Sequence, residues 1–293
     1  MKMKYCKFLS EVEYKFAWKV YDDFECKNFK DYHDLYLTWD ITLLCDVFEN
    51  FRQDIWDTFG LESLYYYGVP GIAFDSMLKM NLQDRHTKGL RDIETLTDLD
   101  MILMCEEAQR GGISHASHRY ACKSHDPVSG LNSSIMYWDA TNLYGWAMCQ
   151  ELPAYDYEWV SQNEIQKLNA YMFLQNYQIW DDLDKNRGYI FEIDMELDPI
   201  YHDWFNDYPL APETTKVNKE DLSEYQKSFN VPTNTPKLLC TLNKKIKYIC
   251  YIENLKYYIQ SGYRVTKIHR GFSFIKEAWL KPYVDLMTEQ RKN

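Results

Sequence analysis

The sequence predicts an α+β chain. Helical periodicity fills the first third, short β-prone runs alternate with helices later on, and an acidic stretch containing several prolines interrupts them. With 293 residues, 46% of them hydrophobic and 16% aromatic, the chain has the length and apolar content for one large domain or two modest ones.

Apolar residues spaced by three and four from Leu43 to Phe59 predict a long amphipathic helix, closed by Gly60. Tyr65 to Gly71 is rich in turn formers and sets a first boundary, giving segments 1–65 and 66–293. A second helix is expected over Asp98 to Gln109, stopped by Gly111 and Gly112. Ser134 to Asp139 is short, apolar and aromatic or β-branched, and predicts a buried strand. Residues 150–236 read as an inserted, partly solvated region with one alternating strand inside it, Gly188 to Met195. Beyond it come a strand from Lys247 to Tyr251, a helix from Asn254 to Gln260, a strand pair within Tyr263 to Phe274, and a helix from Trp279 to Gln290.

The formal charge of −11 at pH 7 argues against a nucleic-acid partner until it is mapped. The acidic excess is concentrated between Glu151 and Glu224, whereas Lys237 to Lys281 holds ten basic residues and two acidic ones, interleaved with tyrosines. Lys244, Lys245 and Lys267 are candidates for phosphate contacts, a plain solvated face being the alternative. The eight cysteines are scattered without a Cys-x-x-Cys pair, which favours free thiols in a reducing, intracellular compartment. No run approaches the roughly 20 apolar residues of a membrane span, and the basic first residues lead into no apolar segment, so neither membrane nor signal peptide is expected. His115 and His118 lack a third nearby ligand in sequence and read as surface polar residues.

Asp139 stands out chemically. A carboxylate at the end of an apolar run, followed by a turn, is costly unless a cation or a backbone cap answers it. Taken alone, a turn cap is the commoner explanation. Tyr36 and Asp40, four apart on a helix, face one direction, so that a phenol and a carboxylate share one site.

The run Tyr137 to Met148, with Asp139-Ala140-Thr141-Asn142-Leu143-Tyr144-Gly145-Trp146 at its centre, resembles motif A of family B DNA polymerases, Asp-x-x-Ser-Leu-Tyr-Pro. It is most similar to the version in the protein-primed branch of viruses and Polinton-type transposons, where Asn and Gly replace Ser and Pro. Asp31 to Arg52 resembles the third exonuclease motif, Tyr-x-x-x-Asp, of the same enzymes. Arg110-Gly111-Gly112 resembles the Gly-Gly segment that links their exonuclease and polymerase regions, with Gln109 where a tyrosine is usual.

The resemblance runs from about Phe8 to the last residue. It implies the end of a 3′–5′ exonuclease domain (1–65) followed by a polymerase palm with an antiparallel sheet (66–293). The palm would carry an inserted, terminal-protein-facing region at about 150–236 and lead into the fingers at about 279–293. It implies Asp139 and Asp40 as Mg²⁺ ligands, Tyr36 as the orienter of an attacking water, and Asn142, Leu143 and Tyr144 as nucleotide-binding, with Tyr144 the gate against a ribose 2′-hydroxyl. Arg110, Gly111 and Gly112 would contact DNA. The implied partners are a DNA primer–template, deoxynucleoside triphosphates and a terminal protein primer, in the nucleus or at a viral replication site. The first two exonuclease motifs, the Lys-x-x-x-Asn-Ser-x-x-Gly helix and the Asp-Thr-Asp hairpin are not found in the sequence. The chain by itself is therefore expected to copy no DNA. The alternative is an inactive viral or transposon remnant, or a domesticated DNA-binding module.

Overall fold

The computed structural model describes residues 10–111, 113–118, 120–124, 129–171, 181, 183–229 and 233–292. The chain divides into two compact units, Met1–Gln83 and Asp84–Asn293.

The first unit is helical. Helix α1 (Glu11–Asp23) opens on a capping box in which Ser10 and Glu13 satisfy each other's backbone N–H. Helix α2 (Phe29–Phe59) is capped by Asn28 at its start and by left-handed Gly60 at its end, the stop the sequence predicts. Arg52 grips Glu62 through two 2.7 Å bonds and so ties the last turns of α2 to the chain that leaves it. The region from Tyr65 to Gly71 is not a free connector. Helix α3 (Val69–Lys88) begins there, with Pro70 in the first turn, where its missing N–H removes no helical bond. The Pro and Gly that suggest a turn thus start a helix, and the divide between the units falls inside it.

The second unit holds, among its described residues, helices α4 (Leu99–Ala108), α5 (Leu143–Met148), α6 (Gln162–Tyr171), α7 (His202–Phe205), α8 (Glu224–Ser228), α9 (Ile252–Gln260) and α10 (Lys281–Lys292). Its strands are β1 (Leu152–Trp159), β2 (Arg187–Leu197), β3 (Glu213–Thr215), β4 (Lys237–Leu239), β5 (Lys245–Tyr251) and β6 (Tyr263–Glu277). Four of them form an antiparallel sheet in the order β1-β6-β2-β5, and β3 pairs with β4 in a small ribbon.

Alternation along β2 divides the core. Tyr189, Phe191, Ile193, Met195 and Leu197 face α6 and α9, where Ile165, Leu168, Ile252 and Leu255 are buried with them. Ile190 points the other way and packs with Ile249, Phe272 and Phe274 under Met101 and Met104 of α4. Below α4 that second face is polar, and strand β2 meets β6 through the pairs Glu192–Arg270, Asp194–His269 and Glu196–Arg264.

Three expectations change. Tyr263 to Phe274 is not a strand pair: β6 is a single 15-residue strand that pairs with both β1 and β2, and bulges in its ladder with β2 break the alternation. Residues 150–236 do not stand wholly apart, because β1 and β2 come from that stretch and carry the middle and one edge of the sheet. Ser134 to Asp139 is neither buried nor a strand. Its backbone joins no ladder, and its side chains face solvent, Tyr137 at 92% exposure and Trp138 at 81%. β-propensity makes a strand only where a partner accepts its backbone bonds, and none of the sheet's four strands pairs with this segment.

Candidate active site

Asp139 lies between that exposed apolar segment and α5. Its carboxylate is exposed and makes no hydrogen bond or ion pair with the described residues, so the turn-cap explanation does not apply. Three residues on, Asn142 adopts a left-handed backbone (φ 53°, ψ 45°) and reverses the chain into α5. The Asn142 carbonyl accepts from the Trp146 N–H at 3.0 Å, and the Gly145 carbonyl from the Cys149 N–H at 3.2 Å. The turn therefore presents Leu143 and Tyr144 on the first turn of a short helix packed against α10, both side chains exposed, Tyr144 at 85%. A bare carboxylate followed by an exposed phenol ring is an arrangement able to meet a cation-bound, sugar-bearing ligand.

Tyr36 and Asp40 sit one turn apart on α2, exposed, in the first unit. The neighbouring Asp40 carboxylate holds the Tyr36 phenol above its ordinary value of 10.0.

The expected DNA contacts fare unevenly. Arg110 is committed to the sheet: its Nη1 donates to the carbonyl of Ile249 at 2.5 Å, and its guanidinium lies 3.8 Å over the Tyr248 ring. Gly111 is exposed with open space where a side chain would be, and Gly112 lies outside the described residues. Lys245 is fully buried, and its ammonium donates to Glu213 at 2.7 Å and to the Thr241 hydroxyl at 2.8 Å and carbonyl at 3.1 Å. It joins the β3–β4 ribbon to the sheet and cannot reach a phosphate. Alternation explains the difference, since Lys245 points into the core face while Lys244 and Lys267 stay exposed. Lys244 lies 3.6 Å from Glu196, and Lys267 pairs across the ladder with Asp194.

Two arrangements escaped sequence reasoning. Asp207, 92 residues after His115, accepts from His115 through its carbonyl and lies 3.4 Å from His118 through its carboxylate. Exposed Lys247 has a left-handed backbone (φ 51°), and its N–H donates to Asp194, which also holds His269 at 2.8 Å. The bulge that creates this has no signature in the sequence. Among the described residues, no group of three His, Cys, Asp or Glu side chains could hold a metal ion, so Asp139 offers one carboxylate and no complete set. The described cysteines are all free, and burial pushes the Cys250 thiol up to about 12. No helix among the described residues is long and apolar enough to cross a membrane.

The family described as DNA polymerase type B, organellar and viral, matches the chain over residues 7–293. The chain belongs to the type B DNA polymerases. The match covers the Asp139 turn, the α2 pair and the whole sheet, and the mixed helical and antiparallel architecture is compatible with a polymerase of this family. DNA and nucleotides are the substrates that membership in a polymerase family implies. No curated protein and no solved structure matches the chain.

Proposed function

We propose that the chain is the nucleotide-facing part of a DNA-directed, protein-primed type B DNA polymerase of viral or transposon origin. The observation that carries this is the exposed, unpaired carboxylate of Asp139 immediately before the left-handed turn that presents Leu143 and Tyr144, in a chain of this family. In this reading the Leu143 backbone meets the triphosphate, and the Tyr144 ring lies under the sugar and obstructs a 2′-hydroxyl. Asp139 would be one ligand of a divalent ion, and Mg²⁺ is the species whose preference for carboxylate and phosphate oxygens fits it. Such an ion neutralises charge on the transferring phosphoryl group. The described residues supply one arm of a two-metal site, so the chain alone is expected to leave a primer unextended.

Tyr36 and Asp40 would belong to a 3′–5′ exonuclease, the carboxylate holding a metal and the phenol orienting water. The acidic stretch at about 150–236 repels DNA and would face a terminal protein, while exposed Lys244 and Lys267 would face phosphates. A second reading, a catalytically silent DNA-binding module, draws on the single carboxylate.

The two readings separate in a nucleotide-dependent complex assay on the product of the uninterrupted reading frame that contains this sequence. A terminated primer–template, Mg²⁺ and the next correct deoxynucleotide should give a complex that survives competitor DNA, and Asp139→Asn should lose that added stability while keeping ordinary DNA binding. Equal complexes in both proteins would leave only the binding module.

A further inference from the structure

We propose that Asn142 acts as a positioning residue rather than a nucleotide contact, and that it works as an interlocked pair with Gly145. Resting on the polymerase reading, this assigns the element that aims Tyr144.

Asn142 is one of the few non-glycine residues with a left-handed backbone, a conformation that Asn tolerates better than most side chains and β-branched residues tolerate worst. It stands at the N-cap position of α5, where an Asn side chain normally accepts a bond from a backbone N–H two or three residues on. Here it makes no such bond. The side chain instead folds over Gly145. A Cβ on that residue would lie 2.3 Å from Asn142 Nδ2 and 2.7 Å from both Cγ and Oδ1, distances that side-chain atoms do not reach. Gly145 itself is buried. Its α-carbon face is thus filled by the Asn142 amide, which keeps this place because residue 145 has no side chain.

Two backbone bonds start from the carbonyls of this pair, Trp146 N–H to Asn142 and Cys149 N–H to Gly145, and they span the first and last turns of α5. Tyr144 lies between the two locked residues, so its direction is set by the pair and not by contacts of its own ring, which is exposed. An Asn three residues before a Gly is in this fold one device, and a side chain added at residue 145 while Asn142 is present re-aims the ring.

The test is a compensation experiment. In the 293-residue chain, amide hydrogen exchange at Trp146 and Cys149 reports the turn directly. Gly145→Ala should speed exchange at both by about tenfold or more, since the new methyl and the Asn142 amide cannot occupy one place. Asn142→Gly should exchange close to the parent, because Gly keeps the left-handed backbone. Asn142→Gly combined with Gly145→Ala should return most of the lost protection. Parent-like exchange in Gly145→Ala, or a double variant no better than the single, would overturn the interlock. The same variants in the complete reading-frame product should show reduced discrimination between deoxy- and ribonucleotides in Gly145→Ala and its recovery in the double. Recovery of exchange without recovery of discrimination would overturn the positioning role. A parent that incorporates no nucleotide would count against the polymerase reading, while exchange still decides the interlock.

Discussion

Lys245 separates the structural role of the basic stretch from the DNA-binding role proposed for it. Lys245→Ala removes an ammonium that makes three hydrogen bonds at 2.7 to 3.1 Å from a fully buried position. Breaking a buried pair by deleting one partner costs roughly 3–5 kcal/mol when the other charge is stranded. Glu213 is not fully stranded: its side chain is 27% exposed and still accepts from the Thr241 hydroxyl at 2.8 Å. The expected cost is therefore about 2–3 kcal/mol, allowing for rehydration of the carboxylate. In a unit of about 200 residues that lowers the melting midpoint by about 4–12 °C. The neighbouring Lys244→Ala removes a half-exposed side chain whose carboxylate partner is 3.6 Å away, and should leave the midpoint essentially unmoved. Binding of a fluorescent primer–template across a salt series should show the reverse pattern. Lys244→Ala with Lys267→Ala should flatten the log–log slope by about 1.8, at about 0.9 per lost phosphate contact, whereas folded Lys245→Ala keeps the parental slope. Changing Lys216 and Lys219 in the acidic stretch should also leave the slope alone. A Lys245→Ala protein with the parental midpoint and a flattened slope would refute both the buried pair and the division of roles.

Three further outcomes follow from the geometry. Tyr144→Ala in the complete reading-frame product should raise ribonucleotide incorporation relative to deoxynucleotides; an unchanged ratio under matched concentrations would remove Tyr144 as the gate. Burial alone would raise the Glu277 carboxyl, but hydrogen bonds from Arg85 and Tyr155 and the Arg85 charge outweigh it and hold the group below its ordinary value of 4.5. A depressed carboxylate contributes stability that is present above 4.5 and lost as pH falls through the folded value, so the stability gap between parent and Glu277→Gln should narrow with acid below 4.5; a gap constant down to about pH 3 would contradict it. Met104→Ala, at 1% exposure in the core beneath α4, should cost about 2–4 kcal/mol in urea unfolding, and a loss under about 1 kcal/mol would mean that α4 does not hold the second core.

The regular elements were legible where local signals suffice. Periodicity and Gly60 located α2, Asp98 marked the start of α4, and alternation found β2. Sequence failed where a tertiary partner decides. Ser134 to Asp139 has strand-forming residues but joins no ladder, and β1 was hidden by Pro153 and its acids although it pairs along the edge of β6. The site divided in the same way. Tyr36 and Asp40, four apart, could be related from spacing alone, and both lie one turn apart on α2. Which lysines of the basic stretch face solvent depends on strand phase and bulges, which placed Lys245 inside and gave Lys247 its left-handed backbone. Arg110 was expected at DNA from resemblance, and nothing in its neighbourhood announces Tyr248 and the Ile249 carbonyl, some 140 residues away.

Primer extension by the complete reading-frame product tests the role of Asp139 most directly. With Mg²⁺, a primed DNA template and four deoxynucleotides, the parent should extend in a template-directed manner, and Asp139→Asn should fall by a factor of about 10²–10³ or more, with primer–template binding and melting midpoint unchanged. Asn keeps the size and exposure of the side chain and removes only the charge, so folding does not confuse the result. Extension by Asp139→Asn within a fewfold of the parent would contradict the assignment of Asp139 as the carboxylate of the nucleotide-facing turn.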